Sequence, residues 1–379
     1  MSAAPLDFLP FTRPAIDEAT IAAVTDVLRS GWLASGPKVE AFEAALSAYL
    51  AGRPVRVLNH ATAALEIALR VCDIGPGDEV ITPALSFVAT ANVIARVGAL
   101  PVFVDVDLDT RNLDLDQVEA AITTRTRAIM PVHFAGLPVD LDRLQAIATR
   151  SGLRVIEDAA HAIGSEWRGQ RVGSFGDLAC FSFHANKNMT TVEGGAIVGG
   201  SVAEVARIER LRFHGLRKLD VDRFEVAEPA GKANLSDVSA AVGIAQLACL
   251  PRFNETRRAL ARSYFDHWEK KAPLRLPARG GNGHSWHMFA PLLPVDARGL
   301  DRAAFIAAMA KRGIGVGVHY PAIHMFAAYR ALGYREGQFA NAERVGRETV
   351  TFPLFPAMLA QDVDRVVDAA EASIAEVLR

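Results

Sequence analysis

The sequence predicts an α/β fold, a mostly parallel seven-stranded sheet between helices, with a smaller α+β C-terminal domain. Three observations carry this expectation. Seven short apolar, β-branched runs recur between residues 54 and 199; amphipathic segments with helical spacing separate most of them; and a polar, glycine-rich stretch then ends the alternation. Strands that alternate with helices demand a parallel sheet covered on both faces.

Taken in order, "VRVLN" (55–59), "DEVITP" (78–83), "PVFVDVD" (101–107), "RAIMPVHF" (127–134), "RVIED" (154–158), "DLACFSF" (177–183) and "GAIVGG" (195–200) are the strands. Helical spacing marks "ATAALEIALRVCDI" (61–74), "FVATANVIARVG" (87–98), "LDQVEAAIT" (115–123) and "DLDRLQAIATRSG" (140–152), the last closed by Gly152 just after Arg150. The stretch 217–237 reads as a long irregular excursion, and 239–271 as a long helix linking two lobes. Beyond Pro273, "SWHMFAPLLPV", "LDRAAFIAAMAKRG", "VGVHY" and "AQDVDRVVDAAEASIAEVLR" complete the small domain. The expected division is 1–250 for the large domain and 251–379 for the small one. The helix in 16–31 is a candidate to join the small domain.

A chain of 379 residues, half of them hydrophobic, has ample material for two cores. With 41 Lys and Arg against 43 Asp and Glu, the net charge of -2 offers no broad attraction to nucleic acid or an anionic membrane. Small-molecule partners are expected. Cys72, Cys180 and Cys249 form neither a disulfide framework nor a Cys-x-x-Cys pair, so neither a metal site nor redox work is expected. No signal-peptide pattern opens the sequence and no apolar run reaches about 20 residues. The expectation is a soluble, cytoplasmic protein.

In a sheet of this kind ligands bind beyond the carboxyl ends of the strands. The residues there are Asn59, His60, Thr82, Pro83, Asp105, His133, Asp158 and, past the sixth strand, Lys187. Thr62 lies in the first turn of a helix, where free N–H groups and the macrodipole suit a phosphate; the plainer role is a helix cap. Asp158 leaves an apolar strand, and an ionised carboxylate in a partly dry site needs a cationic partner such as a protonated ring nitrogen; a cap or a structural ion pair is the plainer role. Lys187 follows the aromatic strand that carries Ser182 and precedes "EGG". A lysine in an apolar pocket offers a neutral amine able to form a Schiff base, whereas a turn lysine is simply solvated. A phosphate cradle, a carboxylate for a pyridinium and an amine in one domain are the fixtures pyridoxal phosphate needs. Phe87 would give that ring a flat face, or else fill the core.

These residues lie within motifs that resemble the DegT-type nucleotide-sugar aminotransferases along nearly the whole chain. The matching segments include "SGWLASGPKVEAFE", "IGPGDEVITPALSFVATANVI", "TRAIMPVHFAGLPVDLD", "IEDAAHAIGS", "FSFHANKNMTTVEGG", "KANLSD" and "GIGVGVHY". Within the family, "LRFHGL" and "KANLSD" are most similar to the UDP-4-amino-4-deoxy-L-arabinose–oxoglutarate aminotransferases, whose pathway modifies the lipid A of lipopolysaccharide. The resemblance implies the aspartate-aminotransferase-like, type I pyridoxal-phosphate fold. It also implies that Lys187 forms the Schiff base and Asp158 pairs with the pyridine nitrogen. Thr62, Ala63 and Ser182 would hold the phosphate, Phe87 would stack on the ring and His161 would sit beside it. Asn234 would reach the phosphate of a neighbouring subunit, so a homodimer is implied. His319 and Tyr320 match a segment near the sugar-nucleotide site, although an interior histidine is equally in keeping with the position of His319.

The reaction implied is transfer of the amino group of L-glutamate, leaving 2-oxoglutarate, to a keto group of a nucleotide-linked sugar, in the nearest relatives a UDP-4-keto-pentose. Two departures stand out. "NHAT" replaces the usual Ser-Gly-Thr or Ser-Ala-Thr, and Phe87 and "KAN" replace the Trp and "KYN" of the arabinose enzymes. The alternatives are amination of another nucleotide-linked keto-6-deoxysugar at C3 or C4, a keto-sugar dehydratase, whose members replace the lysine by histidine, or a non-catalytic regulatory relative. A dinucleotide oxidoreductase is disfavoured because no G-x-G-x-x-G turn follows the first strand.

Overall fold

The structure, a computed structural model, describes residues 8–269 and 271–379; the first seven residues and Lys270, with which the sequence readings of the N-terminus and of the long helix overlap, lie outside the described residues. Two helices, α1 (Glu18–Ser30) and α2 (Pro37–Tyr49), precede the alternation. Then come β1 (Val55–Leu58), α3 (Ala61–Val71), β2 (Glu79–Pro83), α4 (Ala89–Arg96), β3 (Leu100–Val104), α5 (Leu115–Ala121), β4 (Thr126–Ile129), α6 (Leu141–Ser151) and β5 (Arg154–Asp158). A two-residue-per-strand hairpin, β6 (Glu166–Trp167) and β7 (Gln170–Arg171), leads into β8 (Leu178–Ser182), β9 (Gly195–Gly199) and α7 (Val202–Leu211). The expected strands and helices are present with ends shifted by a few residues, and Gly152 closes α6 in the left-handed conformation.

The sheet runs β1-β9-β8-β5-β4-β2-β3, with β9 antiparallel to both neighbours and the other paired neighbours parallel. Its strands are apolar on both sides because both faces are covered. Val57, Ile81, Ile129, Val155, Ala179 and Phe181 meet Phe42 and Leu46 of α2, Val118 of α5 and Leu144 and Ile147 of α6. Their neighbours Leu58, Val80, Ala128, Ile156, Leu178 and Ile197 meet Leu65 and Leu69 of α3, Ile94 of α4 and Ile208 of α7.

The excursion expected at 217–237 contains a hairpin, β10 (Leu216–Lys218) with β11 (Phe224–Val226), and Asn234 bridges Leu58. The long α8 (Asp237–Trp268) serves two cores: Ala240, Leu247 and Leu250 face the sheet side, while Leu260, Tyr264, Phe265 and Trp268 join a second cluster. That cluster includes Leu9 and side chains of α10 (Arg302–Lys311) and α13 (Ala360–Val377), after the short helix α9 (Val295–Arg298). Two further helices, α11 (Ala327–Arg330) and α12 (Ala340–Glu348), lie between them. Among the described residues the β-structure after α8 is confined to isolated bridges, among them Phe289 with Phe352 and Gly317 with Thr351. α1 lies against α8. No described helix is long and apolar enough to cross a membrane.

Candidate active site

The carboxyl ends of β1, β2, β5 and β8, together with the start of antiparallel β9, surround a cavity of about 330 Å³. That volume is at the small end of ordinary ligand pockets. It brings together Thr62, Phe87, Asp158, His161, Ser182, Lys187, His319 and Tyr320, eight of the residues singled out from sequence.

Lys187 sits in a loop held on both flanks. Its N–H donates to the His184 carbonyl at 2.9 Å, the Thr191 N–H donates to the Phe183 carbonyl at 2.9 Å, and the Asn188 amide donates to Asn254 Oδ1 at 2.8 Å and to the Ser285 carbonyl at 2.9 Å. Enclosure by protein disfavours the ammonium form and pulls the Lys187 pKa down to about 8, although nearby Asp158 acts the other way. Among the described residues no carboxylate lies within ion-pair distance of Lys187.

Asp158 is buried at the end of β5. Its Oδ2 accepts from the Thr90 hydroxyl at 2.8 Å and its Oδ1 from the Ala160 N–H at 3.1 Å. Burial raises its pKa, opposed by those two hydrogen bonds and then by the charges of Lys187 and His133. Of the two plainer roles for Asp158, a structural ion pair is not seen among the described residues, while the bond from the Ala160 N–H is a local cap of the chain after β5.

His161 is also buried, and its imidazole stacks on His287 at 4.5 Å between ring centroids and on Tyr320 at 6.2 Å. Burial, then the positive charge of Lys187, drives the His161 pKa well down and keeps the ring neutral. Its Nε2 lies 3.3 Å from the Tyr320 hydroxyl, while its buried Nδ1 has no partner among the described residues. His319 Nδ1 lies 2.8 Å from the Thr351 hydroxyl, and burial lowers its pKa to about 4. Phe87 is 54% exposed, so it is a wall of the cavity and not a core residue; its ring lies 5.8 Å from that of Tyr320.

Two residues stand apart from the cavity lining. The Ala63 N–H donates to His60 Nδ1 at 2.9 Å, so His60, not Thr62, caps α3. This leaves the Thr62 side chain at the cavity. Asn234 lies away from the cavity of its own chain, donating to the Ser35 hydroxyl at 2.6 Å. Of the other strand-end residues, Asp105 accepts from the N–H groups of Asn341 and Ala342, the Thr82 hydroxyl donates to the Met130 carbonyl, and His133 pairs with buried Glu157 at 2.8 Å. All three secure the fold.

Ser86, Asn186 and Glu193 also line the cavity and had not been singled out. Thr90, behind Asp158, was legible only as a threonine one helical turn after Ser86. The set suits pyridoxal phosphate: a buried carboxylate, a dehydrated amine, a helix N-terminus with two hydroxyl side chains, an exposed aromatic face and an unpartnered buried imidazole nitrogen.

The model of the DegT/DnrJ/EryC1/StrS aminotransferase family matches residues 14–371. Among solved structures the chain is similar to Spr1654 of Streptococcus pneumoniae, described as a sugar aminotransferase. Its PMP form is 34% identical with a TM-score of 0.92, covering 98% of each chain; its PLP form is 33% identical with the same TM-score, covering 98% of this chain and 100% of that one. Helicobacter pylori PseC, an aminotransferase of pseudoaminic acid biosynthesis, is 28% identical with a TM-score of 0.92, covering 97% and 100%. S. venezuelae DesV is 35% identical with a TM-score of 0.87, covering 93% and 94%.

Proposed function

The chain belongs to the DegT/DnrJ/EryC1/StrS aminotransferase family, and from that premise we propose that it moves the amino group of L-glutamate to the keto group of a nucleotide-linked sugar. It is a pyridoxal-phosphate-dependent sugar aminotransferase with the type I fold. The observation that carries the proposal is the convergence of Lys187, Asp158 and the N-terminus of α3 on one cavity.

Bound pyridoxal phosphate supplies a protonated ring that accepts the electron pair left at a substrate carbon. Asp158 would hold the proton on that ring's nitrogen by its charge. Thr62 and Ser182 would donate to the phosphate, aided by the α3 macrodipole. Phe87 would cover one side of the ring and His161 would stand beside it. Lys187 would anchor the cofactor through its amine and, once released, would act as base and then acid, moving a proton between the substrate carbon and the cofactor's C4' carbon. His319 and Tyr320 line the sugar side.

The substrate we assign is a UDP-4-keto-pentose, as in UDP-4-amino-4-deoxy-L-arabinose synthesis for lipopolysaccharide, on the strength of the "LRFHGL" and "KANLSD" motifs. A cytoplasmic homodimer is part of the same reading, with Asn234 reaching the partner's phosphate. Exposed Leu28 in the last turn of α1 and Trp32 and Leu33 just after it support an interface of this kind. The test is mass spectrometry of products from L-glutamate, pyridoxal phosphate and a panel of UDP- and TDP-linked keto sugars. An amino sugar from the UDP-4-keto-pentose, lost in Lys187→Ala, is expected. Amination of other sugars alone would reassign the substrate. Dehydration without amination would overturn the reaction.

A further inference from the structure

We propose that Thr90, backed by Ser86, is a positioning residue that keeps the Asp158 carboxylate ionised and aimed at the ring nitrogen of the cofactor. This rests on the reading that Asp158 pairs with that nitrogen.

The Thr90 hydroxyl sits among three oxygens. It lies 2.8 Å from Asp158 Oδ2, 2.8 Å from Ser86 Oγ and 3.1 Å from the Phe87 carbonyl. A hydroxyl has a single proton to donate. When Asp158 is ionised, the charge-assisted bond is the stronger and shorter choice, so Thr90 donates to Asp158 while Ser86 donates to Thr90. When Asp158 is protonated, the Thr90 proton has the Phe87 carbonyl as its alternative acceptor. Thr90 therefore couples the charge on Asp158 to the loop that carries the Phe87 ring.

All three side chains are buried, Thr90 at 1%, Ser86 at 2% and Asp158 at 5% exposure, so water does not compete for these bonds. Burial alone pushes the carboxyl toward its neutral form, and the hydrogen bond from Thr90 is the leading influence in the other direction. The remaining groups near Asp158 are Lys187 and His133, which favour its charge, and Cys180 and Tyr320, whose own ionisation burial opposes. Asp158 Oδ1 is held by the Ala160 backbone, which no side-chain change removes. Thr90 is thus the leading side-chain influence on the ionisation of Asp158, ahead of Lys187 and His133.

The experiment compares Thr90→Val, which keeps the shape, and Thr90→Ser, which keeps the hydroxyl, with Asp158→Asn. The readouts are pyridoxal phosphate affinity of the cofactor-free protein and the pH dependence of the visible absorption band of the loaded protein. Thr90→Val is expected to bind about tenfold more weakly, with the loss greatest at low pH, because a carboxyl without its donor stays protonated to higher pH. Thr90→Ser should restore both. Ser86→Ala, which spares the direct bond, should move both readouts a smaller distance the same way, and it serves if Thr90→Val fails to fold. An Asp158→Asn defect with wild-type behaviour in Thr90→Val and Ser86→Ala overturns the role of Thr90 alone. Wild-type affinity and band in Asp158→Asn would remove the underlying assignment as well.

Discussion

Lys187 shows how little chemistry a residue's identity carries without its surroundings. An unhindered lysine titrates near 10.4 and is almost fully protonated at neutral pH. Enclosure lowers Lys187 to about 8, so a useful fraction of neutral amine exists near physiological pH. Covalent uptake of pyridoxal phosphate by the cofactor-free protein, trapped with borohydride, should rise with a midpoint near pH 8. A midpoint close to 10 would show that the amine is solvated. Phe87 gives a second prediction at this scale. Because its ring is more than half exposed, Phe87→Ala should leave the melting temperature nearly unchanged, whereas pyridoxal phosphate affinity should fall about two- to tenfold, as expected for a lost aromatic contact. A large loss of stability with unchanged affinity would return Phe87 to the core.

Among the elements, α2 begins without a cap of its own, since Gly36 precedes it and has no side chain to offer. The cap arrives from 200 residues away. The N–H groups of Gly36, Lys38 and Val39 donate to the buried carboxylate of Asp237, at 2.8, 3.1 and 3.0 Å, and Asp237 itself opens α8. Asp237→Asn keeps one acceptor oxygen and loses the charge, so urea denaturation should show about 1–3 kcal/mol of lost stability. A neutral result would mean that water caps α2 equally well. Gly195 has a comparable role at the site. A Cβ there would lie 2.6 Å from the Ala61 nitrogen and 2.8 Å from its Cα, so Gly195→Ala should force β9 away from the start of α3 and weaken both cofactor binding and stability. Unchanged affinity in that variant would free the anion site from its dependence on this contact. Such examples mark what was legible from sequence. Strands, helices and the residues at strand ends follow from local periodicity, and Asp158, Ser182 and Lys187 from their place after apolar runs. The Asp237 cap and the Thr90 bond depend on distances between segments that periodicity does not encode, and the His60 cap of α3 is local but uses an imidazole instead of the usual Ser, Thr, Asp or Asn. The family resemblance places Ala63 at the phosphate, and in the structure its N–H donates to the imidazole of His60, a group that Ser-Gly-Thr loops lack.

At the scale of the whole molecule, the buried histidines make stability depend on pH. His161, His284 and His287 are 4%, 3% and 6% exposed, and dehydration lowers all three pKa values, that of His284 to about 3. In the unfolded chain each imidazole binds a proton near pH 6.5. Between that pH and the lowered folded values the unfolded state holds more protons than the folded state, so stability rises with pH across the window and falls on acidification. With His319, lowered by burial to about 4, the slope can approach four protons, each worth about 1.4 kcal/mol per pH unit. Asp158 opposes it by up to one proton, because its raised pKa lets the folded state take up a proton first. Glu79, Glu228 and Glu343, whose pKa values are lowered, add their loss only as the pH approaches about 4.5 and below, where unfolded carboxylates begin to bind protons. The interval from pH 6.5 to 4.5 therefore reports the histidines, less the opposing contribution of Asp158. Urea denaturation of the cofactor-free protein should give a midpoint that drops steadily through that interval. A flat profile there would mean that the imidazoles are protonated or solvated in the folded state, and the neutral stack of His161 on His287 at the back of the cavity would be lost with it.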